Sequence, residues 1–94
     1  MLQLPTTVVA YKRTLVFDEH SVPRGLLASH NTKEGVWGRI VVLRGSLLYR
    51  ILEPEQEEIE LTPGNDGVVE PRMRHEVVPR PGVQFFVEFL RAPG

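Results

Sequence analysis

The sequence predicts an all-β protein, and three observations support that class. Valine is the commonest residue, with 13 copies, and β-branched side chains favour strands. Eight glycines and eight prolines divide the chain into short segments. No window keeps the i, i+3, i+4, i+7 apolar spacing of a helix over a useful length. Short strands joined by turn signals every 8–12 residues are typical of a β-sandwich or a β-barrel.

The expected strands follow one another along the chain, and most are separated by a recognisable turn or loop. "NTKEG" is a loop, "PGND" is a turn, and both Gly45–Ser46 and Pro81–Gly82 predict tight hairpins. The strands that these signals delimit are "RGLLASH" (24–30), "VWGRIVVLR" (36–44), "LLYRILE" (47–53), "EEIELT" (57–62), "GVVEP" (67–71), "HEVVPR" (75–80) and "VQFFVEFLRA" (83–92).

Composition restricts the class of protein. Ninety-four residues with 41% hydrophobic and 24% charged side chains indicate one folded domain. A formal net charge of −1 gives no reason to expect a nucleic-acid or anionic-membrane partner. The absence of cysteine excludes disulfides and thiolate ligands and fits a cytoplasmic location. We expect neither a signal peptide nor a membrane span, since the start lacks the basic-then-apolar pattern and no apolar run approaches 18 residues.

Glu88 is the residue that conflicts with its surroundings, because "FFVEFL" otherwise reads as a buried strand. A buried carboxylate without a partner costs several kcal/mol, on the order of the usual penalty for an uncompensated charge. If Pro81–Gly82 is a two-residue hairpin loop, His75 lies opposite Glu88 on the same face of the sheet. A shift of one residue in this register would separate the two side chains.

His30 extends this pair to three potential metal ligands. It ends the expected strand "RGLLASH", where it would share a face with Leu26 and Ala28. Two imidazoles and one carboxylate match the ligand sets of Fe(II) and zinc sites. The alternative is a buried hydrogen bond between His75 and Glu88 without a metal. No phosphate-binding glycine loop and no nucleophile elbow are present in the sequence.

Four stretches of the chain resemble a known family. "YKRTLVFDEHSVPRGLL", "HNTKEGVWGRIVVLRGSLLYRI", "PGNDGVVEPRMRHEV" and "FFVEFLR" look like the small cupins that include YeaR-like proteins and the amino-terminal domains of some TehB tellurite-resistance proteins. The resemblance extends from residue 11 to about residue 91. It implies a single cupin domain over residues 1–94, folded as an antiparallel β-barrel or double-stranded jelly roll with a metal in its mouth.

The general cupin motifs are only partly present. Gly64 and His75 keep the spacing of the second motif, and Gly45 matches the end of the first. Gly38 stands where cupins place a ligand glutamate, and the paired His-x-His before it is absent. We therefore expect Glu88 to replace the missing ligand.

The function that the resemblance implies is a metal-binding cupin of the TehB/YeaR type that binds or modifies a small polar molecule, linked to tellurite or another stress response. The alternative is a stress module that binds a metal or ligand without turnover. The cofactor would be a divalent transition metal, zinc or iron, held by His30, His75 and Glu88. In this family tellurite detoxification belongs to a methyltransferase domain, which we do not expect within these 94 residues.

Three further residues follow His30 and are candidates for binding the small molecule. Lys33 and Arg39 could hold an anionic ligand, and Trp37 could form a wall of its site. The structural alternatives are a solvated Lys33, an ion-paired Arg39 and a core Trp37. A homodimer is also expected, because the apolar face of Phe85, Val87 and Phe89 would need a cover if Glu88 points inward. We therefore expect this strand to lie at or near the dimer interface.

Overall fold

Two four-stranded sheets face each other in the computed structural model, which describes residues 1–27, 30–31, 33–53 and 55–93. One sheet has the strand order β1-β8-β3-β6 and the other has the order β2-β7-β4-β5, with antiparallel pairing throughout. The elements are β1 Val9–Arg13, α1 Arg24–Leu27, β2 His30–Asn31, β3 Trp37–Arg44, β4 Leu47–Glu53, β5 Glu57–Leu61, β6 Gly67–Val69, β7 Arg74–Pro79 and β8 Gln84–Arg91.

The core lies between the two sheets. Along β3 and β4 buried residues alternate with partly exposed ones, because successive side chains of a strand point to opposite faces. The buried side chains that meet between the sheets come from both of them, and include Ile40, Val42, Phe85 and Val87 from the first sheet and Leu47, Tyr49, Leu61 and Val77 from the second. Their removal from water is the main stabilising contribution to the fold.

The predicted all-β class is confirmed, whereas the closed barrel is not observed. Neither sheet closes on itself among the described strands. The structure is compact, with a Cα radius of gyration of 12.4 Å, the value of about 12 Å that a single globular domain of this length should have. In the described part of the chain, no helix is long and apolar enough to cross a membrane.

The two predicted hairpins are wrong, although the turns themselves are correctly placed. The turn at Gly45 connects β3 to β4, and the turn at Gly82 connects β7 to β8, so each joins strands of different sheets. The Val83 amide donates to the Arg80 carbonyl at 3.1 Å, and Gly82 has a φ of 81°. This is the pattern of a type II turn, whose twist splays the flanking strands instead of pairing them.

The predicted strand "RGLLASH" is also largely wrong. Residues Arg24–Leu27 form a single helical turn, and only His30–Asn31 is a strand. Pro23 precedes the helix, where its fixed φ is compatible with the first turn, and its carbonyl accepts a hydrogen bond from Leu26 at 3.0 Å. Ala28 lies outside the described residues, so the shared face expected for it is not observed.

Strand β1 was not predicted. All five of its residues are exposed, so the sequence carries no alternation that would indicate a half-buried strand. It pairs with β8, with an irregularity in the register between Ala10 and Lys12. The strand therefore forms an edge of the first sheet, beside β8.

Candidate functional site: the cavity between the sheets

A cavity of about 390 Å³ lies between the two sheets. Most of its walls are apolar, and the polar groups are few. Its lining consists of Tyr11, Lys12, Thr14, Phe17, Pro23, Gly25, Leu26, Lys33, Val36, Gly38, Ile40, Val69, His75, Val77, Phe85, Val87 and Phe89. A concave apolar space of this size with a few polar groups is typical of a small-molecule site.

Strand β8 supplies one wall of the cavity through every second residue. Phe85, Val87 and Phe89 line the cavity, whereas Phe86 and Glu88 point to the other side of the sheet. From the facing sheet, β7 contributes His75 and Val77 by the same period of two. The prediction that Glu88 points into the space between the sheets is therefore wrong. Its neighbours Val87 and Phe89 point there instead.

Gly38 lines the cavity without a side chain, so this part of the wall is formed by backbone alone. An added Cβ at Gly38 would lie 3.2 Å from Cβ of Val69 on the neighbouring strand. A larger residue there would have to displace Val69 or extend into the cavity. The short helix α1 adds Gly25 and Leu26 to the lining. The lack of a side chain at Gly38 thus contributes to the volume of the cavity.

His75 is the buried polar side chain of the cavity wall, with 4% of its surface exposed. Its Nδ1 lies 3.3 Å from the carbonyl oxygen of Met73, so a hydrogen bond there requires the proton to be on Nδ1. The imidazole also packs edge-on against the ring of Tyr49, with 6.0 Å between ring centroids. These contacts fix the orientation of the ring.

Tyr49 is a structural group next to this wall. Its hydroxyl donates to the carbonyl of Val68 at 2.9 Å and also contacts Sδ of Met73 at 3.2 Å. Burial, with smaller contributions from the negative charges of Glu70 and Glu57, raises the pKa of the Tyr49 hydroxyl. The phenol therefore stays protonated at neutral pH and serves as a donor that ties β4 to β6.

Two lysines provide positive charge where the cavity meets solvent. Lys12 on β1 and Lys33 before β3 are exposed, and both line the cavity. An exposed residue that also lines a cavity lies at its opening. The predicted ligand-binding position of Lys33 is therefore next to the cavity, and its role in binding stays a prediction.

Glu88 lies on the outer face of the first sheet and has arginines as partners. Its Oε1 accepts a hydrogen bond from Nη2 of Arg39 at 2.6 Å, and its Oε2 lies 3.3 Å from Nη2 of Arg13. The guanidinium of Arg13 also covers the ring of Phe86, 4.4 Å from its centroid. The alternative of an ion-paired Arg39 is thus what the structure contains.

The predicted metal centre is wrong. His75 and Glu88 belong to strands of different sheets, and Glu88 points away from the cavity that His75 lines. Both carboxylate oxygens of Glu88 already bind arginine. His30 pairs with His75 through the backbone, but its side chain lies outside what the structure describes. Among the described residues, no group of three His, Asp or Glu side chains could hold a metal ion.

The expectations for the ligand-binding residues and for the dimer interface also change, because of the directions in which side chains on β3 and β8 point. Trp37 and Arg39 are not part of the cavity lining; both lie on β3 in alternation with Gly38 and Ile40, which do line it. The apolar residues on which the predicted homodimer rested, Phe85, Val87 and Phe89, line the cavity instead of an uncovered outer face. The sequence did not reveal the cavity residues of β8, because both faces of this strand are apolar.

Residues 12–87 match the TehB-like domain family. The chain belongs to the TehB-like family. It is 32% identical over 74 residues to the probable S-adenosyl-L-methionine-dependent methyltransferase TehB of Haemophilus influenzae, an alignment that covers 74% of this chain and 26% of that protein. A second H. influenzae strain has a relative of the same name, 32% identical over 63 residues, with 67% of this chain and 19% of that protein covered. The TehB-like chain thus spans about a quarter or less of these relatives.

Solved structures support the same assignment. The crystal structure of TehB from H. influenzae is similar with a TM-score of 0.85 and 27% identity, over 93% of this chain and 32% of that chain. A crystal structure of an Escherichia coli K12 protein is similar with a TM-score of 0.89 over the whole of both chains. At 24% identity, this second likeness shows the fold alone.

These comparisons overturn the expected function and cofactor. The TehB-like part of the predicted resemblance is confirmed, but the curated relatives are named S-adenosylmethionine-dependent methyltransferases, not metal-binding cupins. The expected zinc or iron has no supporting group of ligands in the described part of the chain. A metal-binding cupin with a transition-metal cofactor is therefore the wrong description of this TehB-like chain.

Proposed function

We propose that this TehB-like chain has a methyltransferase-related function as a small-molecule-binding domain, and that the cavity between its sheets is the binding site. The observation that carries this proposal is the cavity itself, about 390 Å³ in volume and walled mainly by apolar side chains. The names of the TehB relatives supply the link to methyl transfer. In this proposal the chain binds a small molecule, and it is not itself a complete methyltransferase.

The lining of the cavity does not fit S-adenosylmethionine. That molecule carries a carboxylate, but also a sulfonium and an ammonium group, so its net charge is positive, and proteins commonly bind its ammonium group and ribose hydroxyls with carboxylates. The described lining contains Lys12 and Lys33 and has no Asp or Glu among its members. Like charges at the opening oppose a cationic ligand. We therefore propose that the cavity holds another small molecule, such as one that takes part in the methyl-transfer chemistry.

A second candidate is that the cavity binds S-adenosylmethionine itself, because the curated relatives are named as dependent on it. The two candidates are distinguished by calorimetric titration of the purified chain with S-adenosylmethionine and, separately, with 2-naphthalenemethanol, an uncharged aromatic probe of suitable size. The first candidate predicts binding of the aromatic probe and no saturable heat with S-adenosylmethionine. The reverse pattern would favour the second candidate.

A pair of variants shows whether binding occurs in the cavity. Val87→Phe adds a ring to a cavity-lining position on β8, whereas Val41→Phe adds the same ring at the half-buried neighbouring position on β3, outside the cavity lining. Val87→Phe should abolish binding of the aromatic probe, and Val41→Phe should leave it within about twofold. Equal binding by both variants would place the site elsewhere. Circular dichroism checks that both variants fold.

The finer classification of the fold also remains a proposal. We propose an eight-stranded jelly roll, and the strand orders β1-β8-β3-β6 and β2-β7-β4-β5 support it, because two four-stranded antiparallel sheets are the layout of such folds. A crystal structure would test the strand order directly.

The cytoplasmic location predicted from the sequence stays a proposal as well.

The homodimer remains a proposal, but the surface that supports it is no longer the face of Phe85, Val87 and Phe89. Leu15 is 82% exposed and Val16 is 52% exposed, on the segment that follows the edge strand β1. Adjacent exposed apolar residues of this kind commonly mark interfaces. Light scattering at micromolar concentration should give about twice the mass of one chain, and a Leu15→Ser/Val16→Ser variant should give the mass of one. A wild-type chain with the mass of a monomer would contradict this proposal.

A further inference from the structure

The chain has only two lysines among its eleven basic residues, and both line the cavity. The other nine basic residues are arginines, and none of them is among the lining residues. Five of the arginines pair with glutamates, namely Arg13, Arg39, Arg50, Arg74 and Arg80. The two lysines thus differ from all nine arginines in lining the cavity, and from these five arginines also in pairing.

Lys12 and Lys33 have no carboxylate within ion-pair distance among the residues that the structure describes. They stand on different elements, Lys12 on β1 and Lys33 in the segment between β2 and β3. Their common feature is that both are exposed and both line the cavity. A lysine ammonium is a mobile point charge with three donors, suited to an anionic group at the end of a ligand.

The inner lining has the opposite character. Deep in the cavity the walls are side chains such as Ile40, Val77, Phe85 and Val87, all buried. An apolar ligand body gains free energy by entering such a space, whereas a charged group there would lose its hydration among walls that are apolar except at His75. The cavity therefore separates an apolar interior from a cationic opening.

We propose that the ligand of this cavity is a small amphipathic anion, whose apolar or aromatic body lies between the sheets and whose carboxylate, or another anionic group, is bound by Lys12 and Lys33. This inference rests on the proposed small-molecule-binding function and names the chemical class of the ligand. S-adenosylmethionine falls outside this class because, besides its carboxylate, it carries a sulfonium and an ammonium group, for which the described lining offers no Asp or Glu.

Three probes of matched shape test this proposal. They are 2-naphthoate, 2-naphthalenemethanol and 2-naphthylmethylamine, which share one aromatic body and carry an anionic, a neutral and a cationic group at pH 7. Calorimetric titration of the wild-type chain should show the anion binding about fivefold to tenfold more tightly than the neutral probe, the range that two partly exposed ion pairs supply. The cation should bind most weakly. Sodium chloride at 0.5 M should remove most of this preference by screening.

Matched variants assign the preference to the lysines. A Lys12→Met/Lys33→Met chain keeps the aliphatic stems and should bind the anion no more tightly than the neutral probe, with the affinity for the neutral probe unchanged. Arg44→Met removes one positive charge at the far end of β3, outside the cavity lining, and should retain the preference. If the double variant fails to fold, the two single variants and the salt dependence of the wild-type chain carry the test.

The possible failures are distinguishable. If the neutral probe binds and Val87→Phe abolishes its binding, but the anion has no advantage, the ligand class proposed here is overturned while the binding function stands. If none of the three probes binds, both proposals are overturned. If Arg44→Met loses the preference as fully as the lysine variants do, the effect comes from net charge and the assignment to Lys12 and Lys33 is wrong.

Discussion

Glu88 places a carboxylate within the otherwise apolar middle of strand β8. Its carboxylate is buried in an apolar strand, as the sequence indicates, and it does have charged partners. The partners are Arg39 and Arg13 on the strands that flank β8, not histidines. Both arginines are in register with Glu88 by backbone pairing, so the strand order, once known, identifies them as its partners.

Removing the charge of Glu88 should destabilise the fold. Glu88→Gln preserves the shape but leaves Arg13 and Arg39 without an anionic acceptor, and we expect the free energy of unfolding to fall by about 2 kcal/mol, because hydrogen bonds to charged groups contribute roughly that much. Urea unfolding measures the change. Glu53→Gln, which weakens a more exposed pair with Arg74, is the control and should change stability by less than about 0.5 kcal/mol. Equal effects would refute this account.

Asp18 gives a pH dependence of known sign. Hydrogen bonds from the backbone amides of His20 and Ser21 lower the pKa of the Asp18 carboxyl below its usual 3.8. The stability that Asp18 contributes is therefore present above the unfolded-state pKa and is lost as the pH falls through the lower folded-state pKa. An Asp18→Ala chain should be less stable than wild type at pH 6, and the difference should shrink below about pH 4. A difference independent of pH would contradict this assignment.

At the scale of elements, the sequence predicted where strands lie better than how they pair. The bounds of β4 were predicted correctly, and those of β3, β7 and β8 to within a residue or two. The pairing was wrong at both tight turns because the hydrophobic pattern does not specify whether a turn continues one sheet or crosses to the other. At Pro81–Gly82 the conformation of the turn decides, since a type II turn splays β7 and β8.

The turns at Gly45 and Gly82, each of which connects one sheet to the other, can be compared by the same substitution. Gly45 and Gly82 both have positive φ, at 75° and 81°, so alanine at either position should cost about 1 kcal/mol in backbone strain. A Cβ at Gly82 would meet nothing within 4 Å, whereas a Cβ at Gly45 would lie 3.1 Å from Cα of Val83. We expect Gly45→Ala to be the more destabilising by at least about 1 kcal/mol. Thermal unfolding that ranks the two variants in the opposite order would show that the turns do not pack as described.

For the whole molecule, the fold class could be predicted and the site could not. Turn signals and β-branched composition indicate an all-β domain whatever the pairing. The position of the cavity depends on which face of β8 points inward, and Phe85 and Phe89 on one face are as apolar as Phe86 and Leu90 on the other. His75 and Lys33 were the two predicted site residues that the structure places at the cavity, and Lys12 was missed because β1 was missed.

The proposed binding site for the small molecule is the space between the two sheets. Intermolecular nuclear Overhauser effects between bound 2-naphthalenemethanol and the methyl groups of the protein test this claim most directly. We expect contacts from the aromatic protons to Ile40 and Val87, which line the cavity, and none to Val41 on the same strand as Ile40. Contacts to Val41 without contacts to Ile40 and Val87 would place the ligand outside the cavity and contradict the account.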